Sequence, residues 1–329
     1  MIDLLGYGAF FLVNALIFGV VCLGLNLQWG QTGLFNVGVA GFAAIGAYAS
    51  AILTTPDAAE RIGGFGWPIL AGWIAAMLIA GAAALLVGLA TLRLRADYLA
   101  MTTFGIAVTI QVIALNATAL TGGPFGIAFI PRPFASLAET PIAFNTANLA
   151  LTAGVVLGLF LVLETLTRSP FGRVLRAIRE DEAAAASLGK SVNFYRLQAF
   201  ALGGAIMGLG GAMQAHFIGF IAPDAYLSIL TFQVWAMLIV GGSGNNRGAL
   251  IGAVVVWALW SLSSLAVGSF VAPAFQARAA ALQIVAIGIA LALVLILRPR
   301  GLVGERAIVS RDVEPLAAAS AAPPDPPRD

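Results

Sequence analysis

Charge is what this sequence lacks. Of its 329 residues, 17 are Lys or Arg and 15 are Asp or Glu, together 10%, where a soluble domain averages about 25%. The deficit falls in blocks. No charged residue lies between Asp3 and Asp57, nor within 62–92, 98–131, 140–163, 197–223, 225–246, 248–277 or 279–297. A soluble fold needs charge to recur on every exposed face. These blocks have no polar face to give to water, which excludes an ordinary soluble enzyme and a nucleic-acid binder. They imply an all-α, polytopic transmembrane helical bundle.

Cysteine and histidine are scarce too. One cysteine, Cys22, and one histidine, His216, exclude a disulfide framework and any metal site built from several Cys or His ligands. No Lys or Arg precedes the first apolar run, so no cleavable signal peptide is expected. No Asp or Glu lies deep in an apolar block; Glu164 sits about one turn from the end of one. Ion-driven carriers commonly place a buried carboxylate on the ion pathway. Its absence argues that energy comes from elsewhere and that the solute is zwitterionic or apolar.

What is present is length. A helix needs about 20 residues to cross the hydrocarbon core. The blocks then predict about nine spans (eight to ten), near 4–25, 34–54, 67–92, 99–117, 149–167, 197–219, 227–240, 249–270 and 279–297. The seventh is short and fits a broken or re-entrant helix. Residues 1–311 make one membrane domain. Residues 312–329, with Pro315, Pro323, Pro324, Pro326 and Pro327, predict a disordered cytoplasmic tail.

The few basic residues orient the bundle. Alternating loops place Arg93, Arg95, Arg168, Arg173, Arg176, Arg179, Lys190, Arg196, Arg247, Arg298, Arg300, Arg306, Arg311 and Arg328 on one side. Only Arg61, Arg132 and Arg278 fall on the other. That asymmetry predicts an odd span count, the N-terminus outside and the C-terminus in the cytoplasm. Small residues repeat every fourth position in Gly204–Gly208–Ala212, Ala80–Ala84–Gly88 and Ala43–Ala47–Ala51. Such faces let helix backbones approach closely in lipid.

The largest loop on the basic side is 168–196. Ser169-Pro170 suits a helix start, 174–188 are strong helix formers, and Gly189 suits a helix C-cap. Arg176, Arg179, Asp181 and Glu182 make one side polar; Leu175, Ile178 and Leu188 make the other apolar. Two readings stay open: a helix that docks in a groove of another protein, or one that only anchors two spans at the interface. Gly189-Lys190-Ser191 completes the end of a phosphate-binding loop, but the required first glycine is Ala184 and no buried strand precedes it. Nucleotide binding by this chain is therefore not expected.

A resemblance becomes specific at this loop. Glu182-Ala183-Ala184-Ala185-Ala186-Ser187-Leu188-Gly189 resembles the Glu-Ala-Ala loop of ABC importer permeases. Extended back to Arg176, it is similar to the branched-chain amino acid permeases of LivM type. The stretches 24–33, 92–100, 120–127 and Gly241-Gly242-Ser243-Gly244 with Gly248 and Gly252 resemble other segments of that family, so the likeness covers about residues 20–300. It departs at Asn36-Val37-Gly38-Val39 and at Asn245-Asn246-Arg247.

The resemblance implies an ABC importer permease fold in a bacterial inner membrane, moving branched-chain or related amino acids by alternating access. Related systems carry urea, short amides or aromatic acids. It implies a second homologous permease, two ATP-binding cassette subunits and an external solute-binding protein as partners, besides membrane lipid and with no nucleic acid. It further implies that this chain binds no metal or cofactor and is not an enzyme, and that the partner subunits use ATP. The loop then becomes a coupling helix. Arg173, Arg176, Arg179, Asp181 and Glu182 are its polar contacts, and Ala184, Ala185 and Gly189 allow close approach. A stand-alone secondary carrier is the competing class.

A solute pathway leaves fainter marks. Asn26–Gly33 and Gly241–Gly248 interrupt apolar stretches in the two halves. Such interruptions point to transporter pathways, or are two turns at inner ends. Candidate pathway residues are Asn26, Gln28, Trp29 and Asn36 near the first interruption, and Gln111, Gln214, His216 and Gln233 within spans. Polar groups in spans mostly serve helix–helix hydrogen bonds worth roughly 0.6 kcal/mol on average, and a lone His near a helix end is more often structural.

Overall fold

The computed structural model describes residues 4–57, 62–270, 275–298 and 301–305. The predicted tail from 312 onward lies outside them. Twelve α-helices appear among the described residues: α1 (Leu4–Leu25), α2 (Val39–Thr54), α3 (Ile69–Thr91), α4 (Ala96–Asn116), α5 (Thr118–Thr121) and α6 (Pro141–Arg168), then α7 (Pro170–Glu180), α8 (Glu182–Ser187), α9 (Val192–Ile218), α10 (Ser228–Gly241), α11 (Asn246–Phe270) and α12 (Gln276–Leu297). No strand is found among the described residues beyond one antiparallel bridge, Ile127 to Ile221.

Each of the nine predicted spans falls on a helix: α1, α2, α3, α4, α6 and α9 to α12. Six of these, α1, α3, α4, α6, α9 and α11, are long and apolar enough to cross a bilayer. The others are α12 with 22 residues, and α2 and α10 with 16 and 14. At about 1.5 Å per residue the last two fall short of a core about 30 Å thick. The predicted span from 34 begins late because 33–38 run as non-helical chain. The sixth helix begins early, at Pro141, where Asn145, Thr146 and Asn148 read as loop but lie within the helix.

α9 is the axis of the bundle. It packs against α1, α2 and α3, and α1 in turn contacts α6 and α11. Small residues make this possible. A β-carbon on Gly208 would collide with Ala80 of α3, and one on Gly46 with the backbone of Gly208. Backbone approach of this kind, rather than the hydrophobic effect, holds helices together in lipid. The buried interior is completed by large side chains, including Leu23, Phe42, Phe200 and Met207. Phe42 and Phe200 meet edge to face at 5.7 Å.

The two ends of the bundle differ. At one end, Arg132 donates to the Phe217 carbonyl and lies over the Phe144 ring, and His216 meets the 118–140 segment. The opposite end carries α7, α8 and the residues described next.

Candidate functional site

α1 does not end cleanly. It widens into one π-turn, Asn26–Gly30, closed by the Gln31 N–H donating to the Asn26 carbonyl at 2.9 Å. Thr32 Oγ1 takes the Leu27 carbonyl at 2.9 Å. The widened turn displaces side chains from the helical stagger, a feature that recurs at functional sites. Here it aims Asn26 and Gln28, with the capping Gln31 beside them, into the protein, where each amide both donates and accepts a hydrogen bond.

Asn26 donates to Asn246 Oδ1 at 2.9 Å and accepts from the Gly244 N–H at 2.8 Å. Gln28 donates to the Phe200 carbonyl at 2.7 Å and accepts from Asn36 Nδ2 at 2.6 Å. Gln31 donates to the Gly244 carbonyl at 2.7 Å. The two interruptions, 26–33 and 241–248, thus bond directly to each other across more than 200 residues of sequence. Glycines of both are required sterically: a β-carbon on Gly30 would strike Asn26 and Gly244, and one on Gly248 would press on Gly241.

The non-helical run 33–38 is buried or half-buried, and polar groups in it are satisfied in the same way. The Val37 N–H bonds Thr103 Oγ1 at 3.0 Å, the Gly38 N–H bonds Asn36 Oδ1 at 2.7 Å, and Trp235 Nε1 donates to the Asn36 carbonyl at 2.9 Å. Thr231 Oγ1 then accepts from the Ala40 N–H at 3.0 Å. Irregular backbone at membrane depth is tolerated only under such cover. Trp29, Phe35 and Trp235 close over it with ring centroids 4.8–5.3 Å apart.

The 168–196 loop sits against this joint. Leu175 and Ile178 are buried beneath α7, as their spacing predicts. The single helix expected over 174–188 is instead two. The backbone turns extended at Asp181, whose carboxylate accepts from the Ala184 N–H at 3.0 Å and so caps α8. An Asp side chain competes with helix continuation in this way. The break re-aims α8, so Leu188 is exposed rather than on the apolar side. Gly189 ends α8 with φ +75° and open space around it.

The predicted loop residues divide into two groups. Arg176 and Arg179 turn inward. Arg176 reaches Gln31 Oε1 at 3.2 Å and the Thr167 carbonyl at 2.9 Å. Arg179 donates to the Gly30 carbonyl and pairs with Glu180 at 2.8 Å and Glu305 at 2.9 Å. Burial works against its charge, but the hydrogen bonds and charges of Glu180 and Glu305 prevail and raise its pKa. Arg173, Asp181, Glu182 and Ala184 face outward, Ala185 is buried, and Glu182 is tied to Arg196 at 3.0 Å.

Between loop and bundle lies a cavity of about 400 Å³. Its wall includes Glu164, Arg168, Arg176, Asn246, Arg247 and Glu305. Glu164 pairs with Arg168 at 2.6 Å and accepts from Asn246 at 3.3 Å. Sequence reading missed Asn246, Gln31 and Glu305 as members of the joint. The only cue was polarity amid apolar sequence, which does not reveal pairing.

The remaining pathway candidates lie elsewhere. His216 is fully buried, with one ring nitrogen on Ser50 Oγ at 2.8 Å and the other on the Pro131 carbonyl at 2.7 Å. Gln111 on α4 and Gln214 on α9 are half-buried. Gln233 on α10 has a buried Nε2 with no partner among the described residues. No group of His, Cys, Asp and Glu able to hold a metal occurs among the described residues.

Comparison with known proteins comes to the same region of protein space. The family described as "Branched-chain amino acid transport system / permease component" matches residues 8–297. The high-affinity branched-chain amino acid transport system permease protein LivM of Escherichia coli (strain K12) is 35% identical over 267 residues, 73% of this chain and 60% of that protein. A probable LivM of Methanocaldococcus jannaschii is 27% identical over 321 residues, covering 88% and 91%. LivH of Salmonella typhimurium is 24% identical over 254 residues, 75% and 82%. The aligned part thus spans 60% of the length of the enterobacterial LivM proteins. No solved structure matches the chain significantly.

Proposed function

The chain belongs to the branched-chain amino acid transport permease family, and from that premise we propose that it is one of two homologous membrane subunits of an ATP-driven importer. Its solute is a branched-chain or related amino acid. Of the two ATP-binding cassette subunits, one docks on α7 and α8 of this chain, and an external solute-binding protein delivers the solute at the 118–140 end. The α7–α8 end faces the cytoplasm, and the N-terminus lies outside. ATP is used by the partners, and this chain binds no cofactor.

The observation that carries the reading is the construction of the loop. α7 is locked inward by Arg176 and Arg179 onto the π-turn and, through Glu305, the segment after α12. α8 meanwhile leaves Ala183, Ala184 and Leu188 uncovered by the rest of the chain. Leu188, 78% exposed, is left for a partner's groove. Among pathway candidates Gln233 is foremost, because a buried unpartnered amide donor suits a carboxylate or carbonyl of a passing solute.

A cross-linking experiment tests the docking. Cys22 is buried, so a cysteine placed at Leu188 is the reactive thiol. In the assembled complex it is expected to cross-link to an ATPase subunit. Cross-linking to no ATPase, with uptake surviving ATP depletion, would contradict the reading in favour of a secondary carrier.

A further inference from the structure

The segment after α12 is woven into the joint. Gly301 turns with φ +72°. The Leu302 N–H then bonds the Val240 carbonyl at 2.8 Å and the Val303 N–H bonds the Gly241 carbonyl at 2.9 Å. Asn245 Nδ2 reaches back to the Gly304 carbonyl at 3.2 Å. Next comes Glu305, whose carboxylate meets Arg179 at 2.9 Å. Arg179 therefore touches three separate pieces of chain: the π-turn at Gly30, its own loop at Glu180, and the strap at Glu305. Its side chain is 23% exposed and that of Glu305 32%.

We propose that residues 301–305 are a strap that pins the 168–196 loop to the bundle, and that Arg179 is the positioning residue through which loop movement reaches α1 and α11. The geometry favours this route. α7 is joined to α6 by one residue, Ser169, and to α8 by Asp181, so it can tilt as a unit. Tilting α7 displaces the Arg179 guanidinium, and with it both the Gly30 carbonyl and Glu305. Gly30 belongs to the turn that holds Asn26 on Asn246, the first residue of α11. The strap holds the end of α10 through Val240 and Gly241. One cation thus links the docking loop to the ends of α1, α10 and α11. A planar guanidinium with several fixed donors suits this role, and an ammonium does not.

The inference rests on the importer reading, so its test has one arm that does not. In the isolated chain, spin labels on cysteines at exposed Ala177 and Leu302 report the distance from loop to strap. Wild type is expected to give a narrow distribution and Glu305→Gln a broad one; an unchanged distribution would overturn the pin. In the complex with its ATPases, second permease and binding protein, Glu305→Gln and Arg179→Lys are expected to lower uptake per ATP hydrolysed by about tenfold, within the usual span of coupling energies. ATP hydrolysis itself continues. A purely structural role would lower uptake and hydrolysis together, and that result, or an unchanged ratio, would overturn the coupling role. If wild type itself shows no ATP-driven uptake, the importer reading fails instead, and the distance measurement still decides the strap.

Discussion

At the scale of single residues, the buried polar side chains separate by whether they are satisfied. Asn26, Gln28, Asn36 and His216 are buried with every strong partner in place. In a low-dielectric interior such groups hold one arrangement rigidly. Asn26→Ala removes the acceptor of the Gly244 N–H and the donor to Asn246, leaving buried groups unpaired. We expect a loss of about 1–3 kcal/mol, read as a lower unfolding midpoint in detergent; an unchanged midpoint would mean the joint carries no stability. Gln233 is the converse case. Gln233→Leu leaves no new group unpaired, so stability holds, while the KM for uptake rises about two- to tenfold from loss of one hydrogen bond. An unchanged KM would remove Gln233 from the pathway. These pairings were not legible in the sequence. Asn26 and Asn246 stand out as polar residues in apolar runs, but nothing in the one-dimensional pattern says that they meet.

At the scale of elements, the charge-free blocks placed the helices well, because lipid forces every spanning segment to satisfy its own backbone. What composition could not show is where a helix stops for local reasons. Asp181 breaks 174–188 into α7 and α8 by capping α8 with its own carboxylate. Asn36 and Gly38 delay α2 by holding 33–38 non-helical. The consequence falls on the docking surface. Glu182→Lys repels Arg196, and Gly189→Asp forces a side chain into the left-handed region at φ +75°, a cost of about 1–2 kcal/mol. Glu182 itself is exposed while Arg196 is largely covered, and a pair with one partner open to solvent contributes about 0–1 kcal/mol to stability. Both variants are therefore expected to insert and fold, but to lose uptake and co-purification with the ATPases. Wild-type uptake would refute the docking role of α8. By contrast, Gly208→Leu drives α9 away from Ala80 and Gly46, and is expected to abolish folding, seen as aggregation on size-exclusion chromatography.

At the scale of the whole molecule, the scarcity of charge first implied only a membrane. In three dimensions part of the little charge present gathers around one cavity, where Glu164, Arg168, Arg176, Arg247 and Glu305 meet between loop and bundle. No carboxylate lies deep in a predicted span, which supports the proposal that the power source lies outside this chain. The proposal of an ATP-driven importer stands or falls on that point. The most direct measurement is uptake of radiolabelled leucine into proteoliposomes holding this chain with its second permease and ATPases, the binding protein being supplied outside. The account predicts uptake that requires both internal ATP and external binding protein, and that is indifferent to a proton or sodium gradient. Uptake by this chain alone, driven by an ion gradient without ATP, would contradict it.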